Sequence, residues 1–402
     1  MTLTGAFTDP AIPAGFAPFN IQNLGGKLYV AYAKQDAAAK FDVPGVGNGY
    51  VDVYDTAGKL LQHLVAAGLL NSPWGVQIAP ANFGQFSNAL LVGNFGDGLI
   101  NAYDASAGTF LGTLQDPSGN TIHISGLWGL QVGNGGSGGD VNAVYFAAGP
   151  SAQKHGLFGS LQAAPVCTNT SVVNAAGPTA GVSANTLVTI YGANLAATAR
   201  GWQTADFKNN NLPVSLDGVS VTLNGKPAYV SFINPRQINV LTQADLAMGP
   251  VQVQVTNNGL PGNSVTLQSQ AFAPAFFLYK SNYVVALHSD NKSVVGPTTL
   301  TPNVTTPAKP GETVVLFGTG FGGTTPSFPS GQLVTAPLNL ALPAFVLINN
   351  QPVEVDFEGL VSAGLDQLNV RIPDNAQDGD LSIVALVGGA SSPAGAVIAV
   401  QH

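Results

Sequence analysis

Charge is what this 402-residue chain has least of. Only 8% of its residues are Asp, Glu, Lys or Arg, against roughly 25% in an ordinary globular protein. The 13 basic side chains form no cluster and the net charge is −8. That excludes the basic face a nucleic-acid binder needs. One cysteine, Cys167, rules out an intramolecular disulfide framework, and it has no His or Cys near it in sequence. No run of 18 apolar residues is present, so no membrane-spanning helix is expected. Met1-Thr2-Leu3-Thr4 has neither a charged start nor an apolar core, so no signal peptide is expected in this chain. The five histidines (His63, His123, His155, His288, His402) show no His-x-x-x-His or Glu-x-x-His spacing, which leaves zinc sites and His-based triads without a local signature.

What the chain does have is punctuation. Its 49 glycines and 27 prolines favour short strands joined by turns over long helices, and no amphipathic stretch exceeds about two helical turns. The fold class is all-β. A phrase recurs three times: Pro18-Phe19-Asn20-Ile21-Gln22, Pro73-Trp74-Gly75-Val76-Gln77 and Leu127-Trp128-Gly129-Leu130-Gln131, with the glutamines 55 and 54 residues apart. An apolar run follows each, at 28–33, 90–94 and 144–148. In the first two units Gly49-Tyr-Val-Asp-Val-Tyr-Asp55 then matches Gly98-Leu-Ile-Asn-Ala-Tyr-Asp104, and Gly58-Lys-Leu-Leu-Gln-His-Leu64 matches Gly108-Thr-Phe-Leu-Gly-Thr-Leu114. Four short strands per unit of about 40–55 residues is the signature of a propeller blade. Residues 5–10 match 112–117, so the chain is expected to open on the last strand of a blade. Three blades leave open edges, which predicts a missing half, a homodimer that completes the ring, or an open sheet.

Residues 14–35, 71–114 and 155–161, with Asn94-Phe95-Gly96-Asp97-Gly98 and Lys154-His155-Gly156-Leu157-Phe158-Gly159, resemble the second half of a predicted extracellular six-bladed propeller family related to NHL-type propellers. The resemblance covers residues 3–162 and lacks the family's first half. It implies an extracellular or surface location and assigns no activity.

A larger repeat follows. Leu187-Val-Thr-Ile-Tyr-Gly-Ala-Asn-Leu195 matches Thr313-Val-Val-Leu-Phe-Gly-Thr-Gly-Phe321. Residues 219–227 match 344–352, 236–240 match 366–370, and 251–255 match 381–385. The alternation within these strands predicts two immunoglobulin-like β-sandwiches. Tyr191-Gly-Ala-Asn-Leu195 and Asn224-Gly-Lys-Pro-Ala228 resemble IPT/TIG-type domains, and the pair resembles tandem C-terminal modules of secreted soil-bacterial proteins. The expected organisation is a partial β-propeller of about three blades over 1–163, a linker and sandwich start over 164–187, a first sandwich over 188–275, connecting strands over 276–310 that finish the first sandwich and lead into the second, and a second sandwich over 311–402.

The candidate site residues are few. Gln22, Gln77 and Gln131 either ring an axial channel or satisfy backbone groups between blades. His155 sits in the propeller-like segment, and Asp36 and Asp42 in the longer loop 34–48, where extra length on a rigid scaffold favours binding. Glu354, Asp356 and Glu358 alternate along one strand and repel unless a cation neutralises them. Together with Asp374, Asp378 and Asp380 they make a candidate calcium site; no other cofactor is expected. The glycine-rich stretches at 93–98 and 133–139 read as turns, because no helix follows them. Asn169, Asn291 and Asn303 fit the N-glycosylation pattern at the rate chance gives so Asn- and Thr-rich a chain. The favoured function is non-enzymatic binding of a glycan, cell-wall polymer or surface protein. The rival readings are a metal-dependent propeller hydrolase or lyase, and a purely structural stalk.

Overall fold

The computed structural model describes residues 7–117, 119–177, 181–280, 282–290 and 292–402; the Asn291 acceptor pattern and the first two residues of the 5–10 match fall outside them. The chain divides into two compact units, 1–163 and 164–402. Strands dominate both. The described helical segments are single turns at Gly84–Phe86, Pro150–Gln153 and Thr204–Asp206. No described helix is long and apolar enough to cross a membrane.

In the first unit each repeated phrase becomes the first strand of an antiparallel meander. Sheet 1 runs β1 (Phe16–Leu24), β2 (Lys27–Lys34), β3 (Gly49–Tyr54) and β4 (Leu60–Ala66). Sheet 2 runs β5 (Pro73–Ile78), β6 (Leu90–Asn94), β7 (Ile100–Tyr103) and β8 (Phe110–Thr113). Sheet 3 has three strands where four are expected: β9 (Leu127–Val132), β10 (Val144–Ala148) and β11 (Leu157–Leu161). Gly25 and Gly26, at φ of 60° and 83°, supply the two left-handed positions of the β1–β2 hairpin. Strands β1, β5 and β9 lie side by side, so the sheets converge through their first strands. Gly75 makes this approach feasible, because a Cβ there would sit 2.7 Å from Leu130 Cγ and 2.8 Å from the Trp128 carbonyl.

The central strands are buried on both faces, which explains their nearly continuous apolar runs. One core, with Ala31, Val51, Val53, Val76, Leu90 and Val92, fills the space between sheets 1 and 2. Another, with Leu91, Ile100, Ala102, Leu127 and Val144, fills that between sheets 2 and 3. The far face of sheet 1 carries Val30, Tyr32 and Tyr54, and Ile12 packs on it. This corrects the opening strand expected at 5–10: residues 7–10 are not in a strand. Phe7 donates its N–H to Gly58 O at 2.7 Å and its ring meets Tyr54 at 5.5 Å. The apolar face draws the segment across the sheet. No closed ring forms among the described residues.

The second unit holds both sandwiches, and the repeated segments take equivalent strand pairings. Leu187–Ala193 pairs antiparallel with Gln237–Leu241 as Thr313–Thr319 does with Leu365–Arg371. Val219–Leu223 pairs with Gly249–Asn257 as Phe345–Ile348 does with Gly379–Val387. The following hairpins turn on Asn224-Gly225 and Asn349-Asn350, all at positive φ, the type I′ chemistry a two-residue loop needs. Alternate residues point inward: Val251, Val253 and Val255 in one core, Leu381, Ile383 and Ala385 in the other. Within 164–187, expected as linker and sandwich start, the structure places a full strand, Val166–Asn174, hydrogen-bonded to Leu187–Ala193. The short strands between residues 275 and 306 do not finish the first sandwich. They pair with Thr313–Thr319 and Val397–Val400 of the second and place Phe276, Val284, Ala286 and Val295 in its core.

Candidate functional site

The three repeated glutamines meet. They occupy the same position on β1, β5 and β9, and with Asn23, Leu24, Gly25 and Ile78 they line an open cleft of about 500 Å³. Gln22 Nε2 donates to Gln131 Oε1 at 3.1 Å, linking the first and third sheets directly. Gln77 is 7% exposed. Its Nε2 donates to the Ile78 carbonyl at 3.3 Å, while its Oε1 is buried with no partner. Leaving a buried acceptor unpaired costs about 1–3 kcal/mol, a cost internal to the strand packing; the amide groups of Gln22 and Gln131 are the more accessible ones. No lining residue is ionisable. The cleft offers amide donors and acceptors and carries no nucleophile or acid–base group.

Three residues earlier on each strand, Phe19, Trp74 and Trp128 interlock edge to face. Phe19–Trp74 and Trp74–Trp128 centroids lie 4.7 and 4.6 Å apart, both at 86°, and Phe95 closes on Trp128 at 4.5 Å. Such contacts stabilise aromatic pairs beyond their buried area. This cluster sets the spacing of the three strands and therefore of the glutamines.

The other sequence candidates do not join this cleft. His155 is exposed. Asp36 Oδ1 accepts from the Lys40 amide at 2.9 Å within its own loop, and Asp42 bridges back to Gln35 with a buried, unpartnered Oδ2. The six acids proposed for calcium are separated. A bulge between Val355 and Phe357 breaks the alternation that was to align Glu354, Asp356 and Glu358. Asp356 then accepts from Thr313 Oγ1 at 3.0 Å. Glu358, its carboxyl held up by burial, accepts from the Ala344 amide at 2.7 Å. Asp374 pairs with Arg371, Asp378 with His402, and Asp380 with the Tyr283 hydroxyl. The Gly93–Gly98 stretch holds a turn, with Gly98 at φ 71°. Cys167 is buried and its thiol is pushed up to about 11 by that burial, which makes it unreactive.

A second constellation had no local signature. His63 Nδ1 lies 2.7 Å from Asp9 Oδ2 and 2.8 Å from Asp52 Oδ1. Among the described residues this trio is the group of His, Cys, Asp or Glu side chains close enough to share an ion. The Tyr54 hydroxyl donates to Asp52 Oδ2 at 3.1 Å and contacts the Tyr32 hydroxyl at 2.8 Å. Burial first, then the neighbouring Asp9, pushes the Asp52 carboxyl up to about 6. In the second sandwich Asp366 is 2% exposed and accepts from the Phe321 amide at 3.2 Å; burial pushes it up to about 8.

Comparison with known proteins places part of the chain. Residues 171–273 match the IPT/TIG domain, which coincides with the first sandwich. Two uncharacterized proteins of Acanthamoeba polyphaga mimivirus are each 36% identical to this chain. One matches over 158 residues (39% of this chain, 38% of that protein) and the other over 155 (38% and 40%). The matched part therefore spans about two fifths of these relatives' length. They are viral, and these matches lend no support to the expectation of bacterial relatives. SGBP-B of the Bacteroides ovatus mixed-linkage glucan utilization locus, solved with a mixed-linkage heptasaccharide, aligns with 73% of this chain and 58% of its own at 11% identity and a TM-score of 0.27. A score that low establishes no common fold. The likeness of residues 3–162 to a propeller family finds no support in these comparisons. What the comparisons establish is an IPT/TIG domain at residues 171–273 of an all-β chain.

Proposed function

We propose that this chain is a non-catalytic binding protein whose ligand face is the three-glutamine cleft of a partial propeller. The two sandwiches then serve as spacer or adhesion modules at a cell or particle surface. One observation carries the reading: Gln22, Gln77 and Gln131, from three successive sheets, line a single cleft that has no ionisable group. Amides donate and accept without charge, so they suit a neutral ligand rich in hydroxyls, and a glycan is the class that fits. A lining without ionisable groups supports recognition over turnover.

Titration calorimetry of the full chain against neutral oligosaccharides tests this. Gln22→Ala, at the accessible side of the cleft, is expected to weaken binding by about tenfold, the effect of losing one or two hydrogen bonds. Gln131→Ala, at an exposed position of the same cleft, is expected to weaken it by a similar factor. Unchanged affinity in both folded variants, or no glycan retained at millimolar concentration, sinks the proposal.

A further inference from the structure

We propose that Asp9, Asp52 and His63 bind one divalent first-row transition-metal ion, of the zinc or manganese class, and that this ion fastens residues 7–12 to sheet 1. The site stands apart from the glutamine cleft and does not depend on its reading.

Hydrogen-bond valence gives the first argument. Nδ1 of an imidazole carries at most one hydrogen, yet two carboxylate oxygens approach this same nitrogen at 2.7 and 2.8 Å. One hydrogen cannot serve both with good geometry. A cation between the three atoms serves all of them.

Charge gives the second. The Asp9 and Asp52 side chains are 3% and 0% exposed, and no Lys or Arg ion pair reaches either among the described residues. Two buried carboxylates beside a protonated histidine still leave one negative charge uncompensated, an expensive arrangement. A divalent ion beside neutral His63 balances the site. Mixed imidazole and carboxylate donors suit zinc and manganese better than the all-oxygen shell that calcium prefers.

The surroundings give the third. Tyr54 holds the second oxygen of Asp52 and is held in turn by Tyr32, the kind of outer partner that orients metal-binding carboxylates. His63 remains 28% exposed, which leaves a path for the ion and room for water on it. The three ligands come from the N-terminal segment, β3 and β4, so binding ties together parts of the chain that no local motif connects.

The test uses the full chain stripped with chelator and dialysed. Calorimetry with zinc and manganese chlorides, and the visible absorption of added cobalt(II), should each report one ion per chain. His63→Gln and Asp9→Asn should each weaken binding by at least about tenfold, as losing even an outer partner does. Asp9 lies in a segment outside the sheet, so Asp9→Asn keeps the test open if His63→Gln misfolds. Metal should also slow hydrogen exchange of residues 7–12 in the parent and not in Asp9→Asn. Absence of a one-to-one ion overturns the proposal. So does binding that survives in both variants, because it places the ion elsewhere, for instance at His288 beside Glu312 or His402 beside Asp378.

Discussion

Sheets 1 and 2 carry different chemistry at the same rung. In sheet 1 Asp52 faces His63 across β3 and β4; in sheet 2 the matching residues, Asn101 and Thr113, face each other across β7 and β8. The neutral pair is self-sufficient. Thr113 Oγ1 donates to Asn101 Oδ1 at 2.7 Å, and Asn101 Nδ2 donates to the Leu69 carbonyl at 3.2 Å. The charged pair recruits a third residue, Asp9, from the N-terminal segment. The two sandwiches diverge in a similar way. Exposed Arg236 in the first copy aligns with buried Asp366 in the second. The Leu195 amide is satisfied by the Pro235 carbonyl, whereas the matching Phe321 amide is satisfied by the Asp366 carboxyl. A repeat tolerates exchange of a buried polar group wherever a new partner for it is at hand.

The largest expected effect tests the loneliest of these groups. Asp366 has a raised folded-state value of about 8, so between about pH 4 and 8 the folded chain holds a proton that the unfolded chain releases. Stability from this group is therefore full below about pH 4 and is lost as pH rises through 8. Asp366→Asn keeps an acceptor for Phe321 and removes the titration. It is expected to match the parent at pH 4 and to exceed it at pH 9 by several kcal/mol, read as the difference between two Tm-against-pH curves. Parallel curves would refute the assignment. Asn101→Asp puts a second such carboxyl opposite neutral Thr113 and leaves the Leu69 carbonyl with only its Asn94 donor. A loss of about 3 kcal/mol is expected at neutral pH, larger than for Asp52→Asn in sheet 1, because that change removes charge from a negative site. Urea unfolding that ranks the two in the other order would collapse the contrast between the sheets.

Much of this architecture is legible in the sequence because it rests on periodicity. The glutamines recur at nearly constant spacing, and their meeting follows from three copies of one strand converging. The Asn-Gly and Asn-Asn hairpins and the alternating strands of the sandwiches are equally local. The Asp52–His63 pair is not local, even though both residues fall within matched segments. Their pairing depends on a bulge between Val51 and Asp52, and Asp9 arrives from a segment with no repeat of its own. A bulge is also why Glu354, Asp356 and Glu358 fail to share a face: alternation predicts sides correctly only while the register holds. The short strands after residue 275 misled for another reason. Runs of two residues carry too little pattern to say which sheet they extend.

The smallest effect sharpens the comparison most, because its sign should differ between the sheets. Tyr54 and Tyr103 occupy matching positions, and both are buried. The Tyr54 hydroxyl bonds Asp52 and Tyr32, whereas the Tyr103 hydroxyl has no partner. Tyr54→Phe therefore removes a made hydrogen bond and leaves Asp52 Oδ2 wanting a donor, a loss of about 1–2 kcal/mol. Tyr103→Phe removes an unsatisfied group and should be neutral or stabilising by up to about 1 kcal/mol. Amide exchange in β3 and β7 reads each change where it acts, without requiring the whole chain to unfold in one step. If the two substitutions move protection in the same direction, the Tyr54 network contributes nothing to holding Asp52, and the charged rung of sheet 1 would then stand on His63 and Asp9 alone.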